Sequence, residues 1–443
     1  MAHKIAPMIP ILRLANPEDL GRAEGLLRKL RLDPRDVVFG GSTEDGAIRQ
    51  ILEDVARRGD EALVESARRF DDPDFTAPQI RVAPDEMTRA ASRLSGELMA
   101  ALRQAIAQVR EYQTKVMPKE EPSFVREGVE LGMRFTPLDS AGLYFPGGKA
   151  SYPSTLIMLA VPAQVAGVKR IVVCSPPSRF GRSDLVLAAC AELGLTDVFR
   201  AGGAAAIGAM AFGTATIPAV DKIVGPGNRY VQLAKRALAG CVGIDGFLGP
   251  SEIVVIADET GDARAIAADL IAQAEHDPGS CYLLTTSEQL AARVINEIEQ
   301  QKSVLNRAEA IDRALDRDSA ILVDPSMDVI IEWGNKLAAE HVNIQTKDDN
   351  AVMAQLRHAG AVFLGRHSPV AAGDYVAGPS HCLPTNTTAR FSSGISVYEF
   401  MKRSSVERYT AEGLAKDAPA IIALAEAEGL DAHAASVRVR AAD

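Results

Sequence analysis

Apolar residues recur along the first part of the chain at three- and four-residue intervals, which is typical of amphipathic helices. Residues 44–70 carry this pattern with one interruption, so the sequence predicts two consecutive helices there. Residues 84–117 predict a second helical pair, which begins at Pro84 and ends before Pro118. Residues 1–40 mix short apolar patches with Arg and Asp, and we expect an N-terminal arm or a pair of short helices.

From Gly128 onwards, short β-branched runs alternate with helical patterns, which is typical of strand–helix–strand units and a parallel sheet. The alternation occurs in two regions, so the predicted class is α/β with two sheet domains, one inserted in the other. We expect an inserted α/β domain over residues 144–250. A discontinuous α/β domain would comprise 41–143 and 251–395, and residues 396–443 would form a helical tail.

Composition and charge narrow the class of protein further. The 443 residues carry 48 Lys and Arg against 58 Asp and Glu, which gives a net charge of −10. This negative charge argues against nucleic acid or an anionic membrane as a partner. The longest apolar stretches are too short or too interrupted to span a bilayer. Five cysteines without a CxxC pair, and a start without a signal-peptide pattern, favour the cytoplasm.

Three glycine-containing turns lie in the region expected to form the inserted sheet. They are Pro146-Gly147-Gly148, Gly202-Gly203 and Gly225-Pro226-Gly227-Asn228, and each follows a predicted strand and precedes a predicted helix. Backbone amides at a helix N-terminus are well placed to bind an anion such as phosphate. None of the turns matches GxGxxG, so nucleotide binding and ordinary turns both stay open on this evidence.

Two pairs of side chains have spacings that suit chemistry. Gln273 and His276 are three residues apart on one predicted helical face, where they could hold a metal ion or simply end a surface helix. Glu340 and His341 are adjacent and could act as an acid–base pair, although such dipeptides also occur by chance. Residue types alone do not decide between these interpretations.

The C-terminal third holds further candidates. Asp374 and His381 lie in a loop rich in Gly and Pro, which is typical of a shaped functional loop but also of a plain turn. On residue type alone, His433 is a solvated residue of the tail. Cys174 and Cys190 lie in apolar runs, which favours structural roles over catalytic ones.

Longer motifs reveal a resemblance. The segments GLYFPGGKASYPS, VDKIVGPGNRYV, GPSEIVVIAD, QAEHDPGS, AEHV, AAGDYVAGPSHCLPT and the tail EGLDAH resemble, in the same order, the motifs of histidinol dehydrogenases. The resemblance runs from about residue 45 to residue 440. It implies two incomplete Rossmann-like domains, a zinc ion and an intertwined homodimer with shared active sites. It also implies NAD-dependent oxidation of L-histidinol to L-histidine through histidinal, in histidine biosynthesis.

The resemblance also implies roles for individual residues, each carried over from its motif. The implied zinc ligands are Gln273, His276, Asp374 and His433, of which the last would come from the tail of a partner subunit. The implied acid–base residues are Glu340 and His341. The implied substrate-binding residues are the four ligands, the acid–base pair, Ser251, His381 and Glu428. The residues implied to line the NAD site are Tyr144 and Asn228.

One departure from the family pattern leaves an alternative open. Ala205 stands where the family usually has Gln after Gly-Gly-Ala, which removes one expected contact to NAD. The alternative is a related zinc- and NAD-dependent dehydrogenase that acts on another small alcohol, such as a sulfonated diol. His381 and Glu428 favour histidinol over that alternative. The intact Glu340–His341 pair argues against a non-catalytic zinc- or nucleotide-binding protein.

Overall fold

The fold is seen in a computed structural model of the chain. It describes residues 9–31, 33, 35, 43–120, 122–147, 151–179, 181–246, 249–276 and 278–441. The strands in this part are, in chain order, β1 (Ile11–Arg13), β2 (Phe124–Arg126), β3 (Val129–Pro137), β4 (Ser140–Tyr144), β5 (Arg170–Ser175), β6 (Asp197–Arg200), β7 (Lys222–Val224), β8 (Gly243–Ile244), β9 (Ser251–Ala257), β10 (Gly279–Thr285), β11 (Ala320–Val323), β12 (His341–Gln345), β13 (Ala361–Leu364) and β14 (Met401–Tyr409).

Helices connect and cover these strands. In the same part of the chain they are α1 (Pro17–Leu30), α2 (Thr43–Arg58), α3 (Asp60–Phe70), α4 (Pro84–Arg93), α5 (Gly96–Lys115), α6 (Pro153–Ala166), α7 (Asp184–Glu192), α8 (Gly203–Phe212), α9 (Arg229–Leu238), α10 (Ala263–Ala274), α11 (Glu288–Lys302), α12 (Ala308–Arg317), α13 (Met327–Leu337), α14 (Asp349–Gln355), α15 (Val370–Tyr375), α16 (Ala411–Ala427) and α17 (Asp431–Ala441). None of the described helices is both long and apolar enough to cross a membrane.

The two helical pairs predicted from the apolar pattern are confirmed. Helices α2 and α3 are separated at Gly59, whose φ of +55° is a left-handed conformation that glycine adopts without strain. Helix α4 begins at Pro84, and α5 begins after Ser95, whose hydroxyl accepts a hydrogen bond from the amide of Leu98. Helix signals in the sequence were therefore sufficient here, because capping and periodicity are local.

The predicted α/β class is confirmed, with two parallel sheets. Sheet A contains six strands in the order β1-β11-β10-β9-β12-β13, and sheet B contains five in the order β6-β5-β4-β7-β8. Apart from the added edge strand β1, both sheets follow the order 3-2-1-4-5 when their strands are numbered along the chain. This order is typical of nucleotide-binding α/β folds. The architecture thus repeats, although the amino-acid sequence contains no repeat that we recognise.

Sheet A is covered on both faces, which explains its uninterrupted apolar strands. In β9, Ile253 and Val255 belong to the core on one face, whereas Val254 and Ile256 belong to the core on the other. Each of these four side chains is fully buried. The strand therefore shows no alternation of polar and apolar residues, and its length and β-branched content identified it instead.

Two expectations about the ends of the chain are corrected. Residues 11–13 form an edge strand of sheet A, followed by α1, instead of a plain arm or a pair of short helices. The tail, expected to be mostly helical over 396–443, contains helices α16 and α17 but also β14, which pairs antiparallel with β3 along nine residues. Strand β14 is mostly polar and exposed, so its pairing with a distant strand, not its apolar pattern, determines its conformation. The domain boundaries themselves stay a prediction.

Candidate active site

Several predicted site residues lie at the amino ends of the strands of sheet A. Ser251 is the first residue of β9 and His341 the first of β12, and these two strands are neighbours. Helix α10 leads from the carboxyl end of β9 back to the amino end of β10, so it brings Gln273 and the following His276 to the same edge. The side-chain nitrogen of Gln273 lies beside Gly279, the first residue of β10.

The Glu340 carboxyl is held by two donors in a buried position. Its Oε2 atom accepts a hydrogen bond from the hydroxyl of Ser251 and another, at 3.1 Å, from the backbone amide of Glu252. The residue is 6% exposed. Burial raises the pKa of Glu340 to about 8, against the opposing effect of the two hydrogen bonds. In the chain without ligands, Glu340 therefore carries a proton at neutral pH.

His341 is oriented by the backbone of β9. Its Nδ1 atom lies 3.3 Å from the carbonyl oxygen of Glu252 and 3.6 Å from Oε2 of Glu340. A carbonyl oxygen only accepts hydrogen bonds, so Nδ1 carries the proton and Nε2 keeps its lone pair. Burial lowers the pKa of His341, although the negative charge of Asp374 opposes this. The ring is therefore a neutral base with Nε2 available.

His381 is occupied by contacts within the chain. Its Nδ1 atom donates to the carbonyl oxygen of Asp374 at 2.8 Å, which leaves Nε2 to accept from the hydroxyl of Thr155 at 3.0 Å. Burial lowers the pKa of His381. The ring thus fixes the end of α15, where Asp374 lies, against α6. A direct contact of His381 with substrate stays a prediction.

Three of the four predicted metal ligands gather at this edge. Gln273 is 4% exposed, and its Nε2 atom is buried without a hydrogen-bond partner. Burial lowers the pKa of His276, and the negative charge of Asp374 opposes this. The two side chains therefore interact electrostatically. His433, by contrast, is exposed on α17. In the described part of the chain, no three His, Cys, Asp or Glu side chains are placed to hold a metal ion.

A cavity of about 360 Å³ opens beside His341. His341 and His381 both line it, together with Phe363 and with Tyr112 of α5. The volume lies within the range of small-molecule sites in proteins. Glu428, the other substrate contact implied by resemblance, is exposed where α16 ends. Of the predicted site residues, His341 and His381 line this cavity, whereas Glu340, Ser251 and the predicted metal ligands are not among its lining residues.

The predicted cofactor residues lie at the carboxyl edge of sheet B. Tyr144 ends β4, and its hydroxyl accepts a hydrogen bond at 3.1 Å from the amide of Gly203, where α8 begins. Asn228 caps α9, because its side-chain oxygen accepts from the amide of Val231 at 3.1 Å. Strands β4 and β7 flank the point at which the strand order reverses, where open α/β sheets bind their ligands. Gly148 lies outside the described residues.

Two buried residues that support the site, Asp269 and Glu252, were not predicted from the sequence. Asp269 of α10 is buried and accepts from the amide of Val370 at 3.3 Å, which ties α10 to α15. Burial raises the pKa of Asp269 to about 6. Asp269 lies four residues before Gln273 on the same helical face, and this spacing could have identified it from the sequence. Glu252, 1% exposed, could not have been found, because its role depends on backbone contacts across the sheet.

Two sheets with the strand order of nucleotide-binding folds, beside a buried Glu–His pair, define a Rossmann-type α/β enzyme. The family model described as histidinol dehydrogenase matches residues 41–441. The histidinol dehydrogenase of Geobacillus kaustophilus is 47% identical over 408 residues, which is 92% of this chain and 96% of the relative. The chain therefore belongs to the histidinol dehydrogenase family, NAD-dependent oxidoreductases that oxidise histidinol in histidine biosynthesis.

Two further comparisons agree with this assignment. The histidinol dehydrogenase of Gluconobacter oxydans is 46% identical over 394 residues, covering 89% of this chain and 92% of the relative. The crystal structure of histidinol dehydrogenase from Elizabethkingia anophelis superposes with a TM-score of 0.90 at 35% identity, over 98% of both chains. The similarity thus extends to the fold over almost the whole chain.

Proposed function

We propose that both oxidation steps, from L-histidinol through histidinal to L-histidine, take place at the amino edge of sheet A with His341 as the base. The observation that carries this proposal is the orientation of His341. Its Nδ1 proton is donated to the carbonyl oxygen of Glu252, so the lone pair of Nε2 is free beside the 360 Å³ cavity. A carbinol loses hydride only as its hydroxyl loses a proton, and a neutral imidazole is suited to take that proton.

The second step requires water to add to the aldehyde. Glu340 is placed to orient this water, because its carboxyl is fixed by Ser251 and by the amide of Glu252. Its pKa of about 8 means that the ionised form, which can accept a proton from water, becomes more abundant as the pH rises towards that value. NAD, when bound, supplies the hydride acceptor for both steps. We place it at the carboxyl edge of sheet B, beside Tyr144 and Asn228.

The residues present fit a zinc ion, although one chain does not complete the coordination. Imidazole and carboxylate are ordinary zinc ligands, and His276 and Asp374 supply one of each. The buried amide of Gln273 has an Nε2 atom without a partner, which is unusual for a side chain with no further role. Zinc, when bound, supplies a positive charge that holds the amino and imidazole nitrogens of the substrate.

The missing ligand supports a homodimer with shared active sites. His433 and Glu428 are both exposed at the C-terminal end of the chain, far along the sequence from the residues they are expected to join. Helix α17 buries only Ala434 among its described side chains. We therefore assign His433 and Glu428 to the site of a second copy of the chain, whose tail completes the zinc coordination.

The cysteines support a reducing compartment. The chain contains five, and all are free thiols in the structure. Proteins of oxidising compartments generally pair their cysteines, so the enzyme is assigned to the cytoplasm.

Substrate identity is tested by NADH formation with L-histidinol and with a panel of amino alcohols and diols that includes a sulfonated diol. We expect histidinol to be preferred, with two NADH formed for each histidine. Turnover of another alcohol without turnover of histidinol would contradict the proposal. The ratio of NADH to histidine separates the two-step reaction from one that stops at the aldehyde.

A further inference from the structure

A buried ion pair lies directly behind the glycine turn of sheet B. Lys235 of α9 contacts Asp245, which follows β8, and both side chains are completely inaccessible to solvent. Another ion pair of a sheet B residue, Lys222 with Glu399, keeps some exposure to solvent. Burying two charges is costly, and a buried pair is weak evidence for stabilisation. The pair is therefore better explained by a role in positioning the neighbouring backbone.

The pair takes up both backbone polar groups of a single residue, Gly225. The Gly225 amide donates to Oδ2 of Asp245 at 2.6 Å, and the Lys235 ammonium donates to the Gly225 carbonyl oxygen at 3.1 Å. The contact between Lys235 and Oδ1 of Asp245 closes the ring. The end of β7, the end of β8 and the middle of α9 are thus linked through one residue.

The backbone at Gly225 leaves no room for a side chain. Its φ is +121°, and a Cβ atom at this position would lie 1.8 Å from the carbonyl oxygen of Tyr144. The Gly225 backbone therefore lies against the end of β4, at the reversal point of the strand order. Three residues later, Asn228 caps α9, and the first amides of that helix face the same edge.

We propose that the Lys235–Asp245 ion pair positions the turn from Gly225 to Asn228, so that the turn and the start of α9 receive the phosphates of NAD. Apolar side chains of similar size would fill the same space but would leave the polar groups of Gly225 unpaired. The pair acts through the turn, so Lys235 and Asp245 are positioning residues. This inference rests on the proposed place of NAD at the carboxyl edge of sheet B.

The variant test uses Lys235→Met combined with Asp245→Asn, which removes both charges together and so leaves no unpaired buried ion. We expect the dissociation constant for NADH, from a fluorescence titration without turnover, to rise at least tenfold. KM for NAD should rise similarly, whereas kcat at saturating NAD, KM for histidinol and zinc content should stay within twofold. A dissociation constant within twofold of the wild-type value would overturn the proposal.

Lys302→Met is the matched control. Lys302 is also largely buried, and it pairs with Glu299 and Asp312 far from sheet B. We expect this change to lower the thermal midpoint without altering NADH binding. Equal weakening of NADH binding in the control would show that loss of any largely buried lysine charge has this effect, and it would overturn the positional role.

Hydrogen exchange on the unaltered protein tests the same idea without any variant. The Gly225 amide should exchange slowly in the absence of cofactor, because Asp245 already accepts its hydrogen bond. Rapid exchange of this amide would overturn the proposal. NADH should then slow exchange of amides in residues 225–232. If NADH does not slow the exchange of these amides, the proposed place of NAD is wrong. This outcome is distinct from failure of the ion-pair proposal alone.

Discussion

His341 donates its Nδ1 proton to the backbone oxygen of Glu252 across 3.3 Å, and this contact decides which ring nitrogen can act as a base. Glu252 also directs its backbone amide to Oε2 of Glu340, so one residue of β9 orients both members of the pair. Both contacts come from backbone groups of Glu252 and not from its side chain. The acid–base geometry is therefore a property of the sheet edge.

His341→Asn should abolish turnover while leaving the zinc content near that of the unaltered protein. Loss of a positioned general base typically reduces rates by about 10²- to 10⁴-fold. Steady-state kinetics and metal analysis on the same preparation check this. Turnover within tenfold of the wild-type rate would remove His341 from the mechanism.

Glu340 should make the metal-free protein less stable as the pH rises. Its pKa is raised from 4.5 to about 8 in the folded state, so the unfolded chain releases this proton first. The stability it contributes is complete below pH 4.5 and is lost towards pH 8, by at most about 1.4 kcal/mol per pH unit. Glu340→Gln should make the fall shallower in urea titrations. Identical slopes in the two proteins would contradict the burial of an ionisable carboxyl here.

Ser251→Ala removes the hydroxyl that donates to Oε2 of Glu340. Loss of a donor disfavours the ionised carboxyl, so the pKa of Glu340 should rise further, by about one unit. The rising part of the pH–rate profile should move to higher pH accordingly. Ser287→Ala is the control, because it removes the N-cap of α11 at a cost of about 1 kcal/mol but lies outside the site. An unmoved profile for Ser251→Ala would exclude this contact from the chemistry.

Gln273→Leu should separate stability from metal binding. Leucine replaces a buried amide whose Nε2 atom has no partner, so the metal-free protein should become equally stable or more stable, by up to about 2 kcal/mol. Its affinity for zinc should nevertheless fall at least tenfold. Gln301→Leu, which loses an exposed hydrogen bond to Arg264, should change neither quantity appreciably. Unchanged zinc affinity in Gln273→Leu would remove this residue from the coordination.

Local features of the sequence predicted much of the fold. The paired helices, the alternation of strands and helices, and the apolar strands such as β9 follow from periodicity, capping and β-branched content. Strand β14 and edge strand β1 could not be predicted in this way, because each depends on pairing with a distant segment. The repeated strand order could not be predicted either, because the sequence shows no visible repeat.

The candidate site was predicted less completely than the fold. Glu340 and Ser251 are 89 residues apart and meet through their positions at the ends of neighbouring strands, which spacing along the chain does not reveal. The family motifs identified both residues, but their geometry comes only from the sheet. The contacts of His381 with Thr155 and Asp374 show a positioning role that no motif indicated.

The shared site is the central claim, and subunit mixing tests it most directly. His341→Asn and His433→Asn subunits should each be inactive as homodimers. After joint refolding, a mixed dimer has one site with the intact His341 of one subunit and the intact His433 of the other. We predict that activity returns to about a quarter of the wild-type value, because half of the dimers are mixed and each has one active site. No recovery, in dimers shown to be mixed, would contradict the account.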